Sequence, residues 1–290
     1  MARLIHAGRN RTSVMQRSAA LSHVDTSHGR VAVEDSGEDS GTGGTPVVFL
    51  HGNSSSLEIF EHQRHSPLAR GRRLIAVDFP GHGASGNAHD PLRTYTRSGL
   101  ADVIAELLNC MRIGEAIVVG WSLGGHVGID LLSRFAGLKG LMIIGTPPVR
   151  SGAMAEAFQA SAQLGFAGRP ELSFEDVTAF ARAMIGDPVP PFLPAAIRRT
   201  DKRFRDVLFK AARAGAGGDQ RHAVETSKVP IAVVNGAADP LVNLDYLDSI
   251  AYGNLWDSRC HRLPRAGHAP FWQQPAVFNA VLGRFLDALA

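Results

Sequence analysis

The chain has 290 residues, 44% of them hydrophobic and 20% charged, with a formal charge of +3. That is enough for one full α/β core, and no apolar stretch reaches the length that crosses a bilayer. Two cysteines, Cys110 and Cys260, exclude a disulfide framework and fit a reducing, cytoplasmic setting.

The basic balance belongs to the start of the chain, where Arg3, Arg9, Arg11 and Arg17 stand without an acid. Residues 1–20 are therefore expected to form a disordered basic extension; they lack the apolar region of a secretory signal. No Lys/Arg cluster elsewhere suggests nucleic acid. Alternating runs over 21–26 and 30–34, around Ser27-His28-Gly29, predict an opening β-hairpin. A Gly/Ser/acid loop follows over 35–44. Strands are then expected at 46–50, 73–78, 116–120, 140–145, 230–235 and 260–263. Helices are expected at 57–68, 95–111, 123–135, 241–251 and 275–289. This alternation predicts an α/β fold with a mostly parallel central sheet and helices on both faces. It breaks between residues 149 and 226, where only helical patterns occur, at 153–164, 173–185 and 200–214. Ser173-x-x-Asp176 is a capping box. The core is thus assigned to 21–148 and 227–290, with 149–226 as a helical cap over the strand ends, where such sheets place ligands.

The chemistry centres on Ser122, in Gly120-Trp121-Ser122-Leu123-Gly124 between a predicted strand and a predicted helix. G-x-S-x-G in that context is a nucleophile elbow. A serine hydroxyl needs a base, and the base needs an orienting group. His268 and Asp239 each follow a late strand, in the chain order Ser, acid, His. Asp245 and Asp248 rank below Asp239 because they fall on a predicted helix. The backbone N–H groups of Asn53 and Leu123 would form an oxyanion hole, and the Asn53 side chain could add a bond to substrate. His51, Asp78, His82 and His126 read as shaping loops or packing. His62 and His65 have ligand spacing but no acid cluster, and no G-x-G-x-x-G follows a strand, so neither metal nor cofactor is expected.

These motifs resemble the α/β-hydrolase superfamily from about residue 21 to the end. Serine at 122, where dehalogenases and epoxide hydrolases of that fold use aspartate, favours an ester, thioester or lactone substrate. More narrowly, several segments resemble the metal-independent AidH-like N-acyl-homoserine lactone lactonases. They are Thr26-Ser27-His28-Gly29-Arg30, His51-Gly52-Asn53-Ser54-Ser55-Ser56, Gly120 to His126, Gly145-Thr146-Pro147-Pro148 and Gly253-Asn254-Leu255-Trp256. The resemblance implies ring opening of a small-molecule lactone signal, that is, quorum quenching, without cofactor or membrane partner. It also implies an acyl pocket using Trp121, Asn53 and the cap residues Phe158, Phe166, Phe174 and Phe180. Relatives can carry Glu at the position of Asp239 and Tyr at that of Phe180. A general carboxylesterase and a slow-turnover ligand sensor are the alternatives, and the oligomeric state stays open.

Overall fold

Two antiparallel strands, β1 (Ala20–Thr26) and β2 (Gly29–Asp35), open the sheet where the 21–26 and 30–34 runs predict them. The computed structural model describes residues 20–37, 44–150, 153–159 and 164–290, so the expected basic extension lies outside it except for Ala20, which begins β1. Strands β3 (Val47–Leu50), β4 (Leu74–Val77), β5 (Ala116–Trp121), β6 (Leu138–Ile144), β7 (Ile231–Gly236) and β8 (His261–Leu263) complete an eight-stranded sheet. Its order is β1-β2-β4-β3-β5-β6-β7-β8, parallel from β4 onward.

In β3, Val48 and Leu50 face one hydrophobic layer and Val47 and Phe49 the other. Burial on both faces is why these strands read as continuous apolar runs. Helices α1 (Glu61–Arg64), α2 (Pro91–Thr94), α3 (Arg97–Cys110) and α4 (Leu123–Leu131) follow the early strands. Leu100, Ile104 and Leu107 of α3 and Val127 of α4 pack in the first layer. The chain turns back after β3 to place β4 on one side, then crosses to place β5 on the other. Ligand sites form at such a switch point.

Between β6 and β7 the described residues carry only helices: α5 (Met154–Ala157), α6 (Leu164–Ala167), α7 (Phe174–Ile185), α8 (Phe192–Arg199), α9 (Lys202–Arg213) and α10 (Gln220–Thr226). The Ser173–Asp176 capping box is formed. The start of α9 is fastened to the loop after β4. Asp201 N–H donates to the Gly81 carbonyl at 2.8 Å, the Tyr95 hydroxyl donates to the Asp201 carboxylate at 2.7 Å, and Phe204 sets its ring edge-on to His82. After β7 come α11 (Leu244–Asp248), α12 (Pro270–Gln273) and α13 (Pro275–Asp287). Phe271, Phe278 and Phe285 of α12 and α13 are fully buried in the second layer, each worth roughly 1.5–3 kcal/mol of transfer free energy.

Four predicted helices are clearly shorter than their patterns; the 123–135 pattern ends with α4 at Leu131. The 57–68 segment is two 3₁₀ turns flanking α1, because Pro67 forces Ser66 into extended backbone (ψ 171°). The 153–164 pattern stops after α5, where Phe158 bridges Val242 and Gln159 N–H donates to the Leu241 carbonyl; residues 160–163 lie outside the described set. The 241–251 pattern begins only at Leu244. Asn243 caps that helix, and the Asp239 carboxylate takes the N–H groups of Leu241 and Val242.

Candidate active site

Ser122 stands between β5 and α4 with φ 52° and ψ −113°. Such a backbone costs a non-glycine residue of order 1–3 kcal/mol and persists only when the surroundings fix it. They do so here. Ser122 N–H donates to the Ile144 carbonyl at 2.7 Å, and the Ser122 carbonyl accepts from the N–H groups of Gly125 and His126 and from the Thr146 hydroxyl at 3.0–3.1 Å. The glycines of the elbow follow from close approaches. A Cβ on Gly124 would strike the Leu50 and His51 carbonyls, and one on Gly125 would strike the Thr146 side chain.

Asp239 follows β7 and is almost fully buried. One carboxylate oxygen accepts the N–H groups of Leu241 and Val242, and the other meets His268 Nδ1 at 2.9 Å. Burial by itself would raise this carboxyl, but the His268 ring and these hydrogen bonds outweigh it and hold the pKa below its ordinary value. The ionised acid fixes the proton on Nδ1 and leaves Nε2 as the basic nitrogen. His268 packs against Gly145, directly after the Ile144 that holds Ser122, and its carbonyl accepts from Trp121 Nε1 at 2.9 Å. Serine, histidine and acid thus gather around the ends of β5, β6 and β7. No Ser122–His268 hydrogen bond forms in this resting arrangement; nucleophile–base pairs commonly tighten only with substrate. The rival Asp245 is 90% exposed and paired with Arg262, and Asp248 pairs with the same arginine.

The Asn53 and Leu123 N–H groups have no protein acceptor among the described residues. The loop presenting Asn53 is held by two buried histidines. His51 Nδ1 donates to the Gly52 carbonyl (2.7 Å) while its Nε2 accepts from Phe79 N–H; His82 Nδ1 donates to the Pro80 carbonyl while its Nε2 accepts from Ser54 N–H. Burial pushes His51 down to about 4 and His82 well below its ordinary value, so both are neutral braces. Asp78 accepts from Leu57 and Ala84 N–H, and burial raises it to about 6.

The Asn53 side chain is otherwise engaged than expected: its Nδ2 donates to the Ala167 carbonyl at 2.9 Å and its Oδ1 accepts from the Ser54 hydroxyl at 2.8 Å. It ties loop to cap. Sequence reasoning missed the residue behind it, Arg205 of α9. This buried guanidinium donates to the Ser54 hydroxyl (2.9 Å) and to the carbonyls of Arg169 and Pro170. It has no carboxylate partner among the described residues.

A cavity of about 150 Å³ opens over Ser122 and Leu123, walled by Val149, Met154, Phe158, Leu208, Phe209 and Ala212, with Arg97, His126 and Arg150 as polar members. Of the aromatic residues expected there, Phe158 lines it. Trp121 does not: it is fully buried beneath Gly52 and braces His268. Phe166 and Phe180 pack on each other with centroids 6.2 Å apart, in the layer that α7 buries through Val177, Phe180 and Met184. Phe174, the first residue of α7, is 76% exposed. The long wall comes instead from α9, where Leu208 and Ala212 lie four residues apart on one face.

A strained serine between a central parallel strand and a helix, on a sheet wound about this switch point, defines a class of hydrolases. The chain belongs to the alpha/beta hydrolase family, a model of which matches residues 47–281. The solved structure of the N-acyl homoserine lactonase AidH complexed with N-butanoyl homoserine is 41% identical, with a TM-score of 0.89 over 93% of this chain and 97% of that one. A variant of AidH complexed with N-hexanoyl homoserine gives 0.90 over 94% and 98%. The AB hydrolase superfamily protein YisY of Bacillus subtilis (strain 168) is 23% identical over 276 residues, 90% of this chain and 97% of that protein. The pimeloyl-[acyl-carrier protein] methyl ester esterase of Aromatoleum aromaticum is 29% identical over 259 residues, 79% and 93% respectively. Among the described residues no helix is long and apolar enough to cross a membrane.

Proposed function

We propose that this chain opens the lactone ring of N-acyl-homoserine lactones, with Ser122 as nucleophile, His268 as general base and acid, and Asp239 as its orienting acid. The observation that carries the reading is the 41% identity, over more than nine-tenths of both chains, with a lactonase bound to N-acyl homoserine. Ser122 Oγ attacks the ring carbonyl as its proton passes to His268 Nε2. The oxyanion takes the Asn53 and Leu123 N–H groups, worth roughly 3 kcal/mol per donor. The ring C–O bond then breaks and His268 returns the proton to the leaving alkoxide. Water, deprotonated by His268, hydrolyses the acyl-enzyme to N-acyl-homoserine and free Ser122. Because the leaving hydroxyl stays tethered, that water must outrun ring closure. Ring opening would silence such a signal.

Mass spectrometry of the protein incubated with N-hexanoyl-homoserine lactone tests this. A gain of one water that disappears with Ser122→Ala supports it. Release of free homoserine lactone means amide cleavage and refutes it. A simple carboxylesterase is the second reading, favoured by the methyl ester esterase relative; equal or higher turnover of short aryl esters than of the lactone would establish it.

A further inference from the structure

Helix α4 carries a polar side chain, His126, one turn beyond the nucleophile at its N-cap. His126 lines the same cavity as Ser122, and its backbone N–H donates to the Ser122 carbonyl. Ser122 caps α4 and His126 lies in its first turn, so both side chains reach the one cavity from the same end of the helix. The ring is held by Gln220, which is 1% exposed. Gln220 Nε2 donates to the His126 carbonyl at 2.8 Å and to Asp130 Oδ1 at 2.7 Å, which sets the amide so that its Oε1 faces His126 Nδ1 at 2.6 Å. An amide oxygen only accepts, so the Nδ1 of His126 holds the proton and Nε2 a lone pair. Nε2 has no protein partner among the described residues, and it is not among the sealed polar atoms. Burial, with help from the Arg97 charge, pushes the ring down to about 3, so it stays neutral. Apart from the attacking Ser122, the other polar side chains of the wall offer no unengaged acceptor. Arg97 and Arg150 only donate, and the Asn53 oxygen already accepts from the Ser54 hydroxyl.

We infer that His126 Nε2 is a specificity-determining acceptor for an N–H carried on the carbon next to the scissile carbonyl. The inference rests on the lactonase reading, because in an N-acyl-homoserine lactone the amide N–H sits on that carbon. It adds the residue that separates such lactones from equally long alkyl lactones.

The test compares ring opening of N-hexanoyl-homoserine lactone with that of its carba analogue, in which CH₂ replaces the amide N–H. In the unaltered protein kcat/KM should favour the amide by about 10- to 100-fold. His126→Phe should bring the ratio to within about threefold of unity. His126→Gln, whose amide oxygen can accept, should restore most of it. Circular dichroism and urea midpoints check that both variants fold, and the ratio in the unaltered protein needs no variant. A ratio near one there, or an undiminished ratio in folded His126→Phe, overturns the inference and leaves the lactonase reading intact. Opening of neither compound overturns that reading and the inference with it.

Discussion

Mild acid should unfold this protein, and buried neutral histidines set the slope. In the unfolded chain a histidine titrates near 6.5. In the fold, burial pushes His51 down to about 4, His126 to about 3, and His82 well below the ordinary value. Below about pH 6.5 the unfolded state therefore binds protons that the native state refuses. Stability is complete above that pH and is lost as pH falls, down to about pH 4 for His51 and about pH 3 for His126. Each group costs about 1.4 kcal/mol per pH unit in its window, so three cost about 4 kcal/mol per unit. Asp78 acts in the opposite sense: burial raises it to about 6, so falling pH restores about 1.4 kcal/mol per unit between about pH 6 and 4. Together these four groups give a slope below pH 6 of about 3 kcal/mol per unit. Against a total stability of roughly 5–15 kcal/mol, two units of acid consume much of it. Urea unfolding at a series of pH values, followed by circular dichroism, measures the slope. His51→Gln keeps a donor for the Gly52 carbonyl and an acceptor for Phe79 N–H, and should lower it by about 1.4 kcal/mol per unit. A flat profile between pH 6.5 and 5, or an identical slope in His51→Gln, refutes the reasoning.

Ser122→Gly should abolish turnover yet raise the urea stability by about 1 kcal/mol, because glycine accepts φ 52° without strain while giving back some chain entropy; a less stable variant would contradict the strain. Asp239→Asn should cut kcat by about 10⁴-fold through the wrong histidine tautomer, whereas Asp245→Asn, at an exposed pair with Arg262, should stay within twofold; the reverse order would move the acid's role. Arg205→Met leaves the Arg169 and Pro170 carbonyls without their donor. That should cost about 1–3 kcal/mol in urea for each and lower kcat by loosening Ser54 and Asn53; unchanged kcat in the folded variant would show that cap and loop are independent.

What the sequence disclosed is what short segments encode. The elbow is spelled locally, because Gly124 and Gly125 each meet a neighbour at a distance only glycine allows. The central strands β3, β4 and β5 are legible because burial on both faces leaves no polar position in them. The candidate acid and histidine are read from their places after late strands, a rule that leaves the choice among Asp239, Asp245 and Asp248. The cap defeats the same reasoning. Lys202-Arg203-Phe204-Arg205-Asp206 reads as a solvated helix face, yet Arg205 is 4% exposed. Its burial depends on carbonyls more than thirty residues earlier and a hydroxyl about 150 residues earlier in the chain. The resemblance implied Phe166, Phe174 and Phe180 as pocket walls, but which faces of α6 and α7 meet the core is decided by packing that periodicity does not contain.

The misread cap residues change the view of how the site is assembled. Arg205 holds the Ser54 hydroxyl, that hydroxyl holds the Asn53 amide oxygen, and the Asn53 amide nitrogen holds the Ala167 carbonyl. Both arms of this hydrogen-bonded chain therefore begin in the cap and meet at Asn53, whose N–H is the proposed oxyanion donor. Displacing the cap from the sheet would break the Arg205–Ser54 and Asn53–Ala167 hydrogen bonds together, so the loop that presents Asn53 would lose both of its ties to the cap at once.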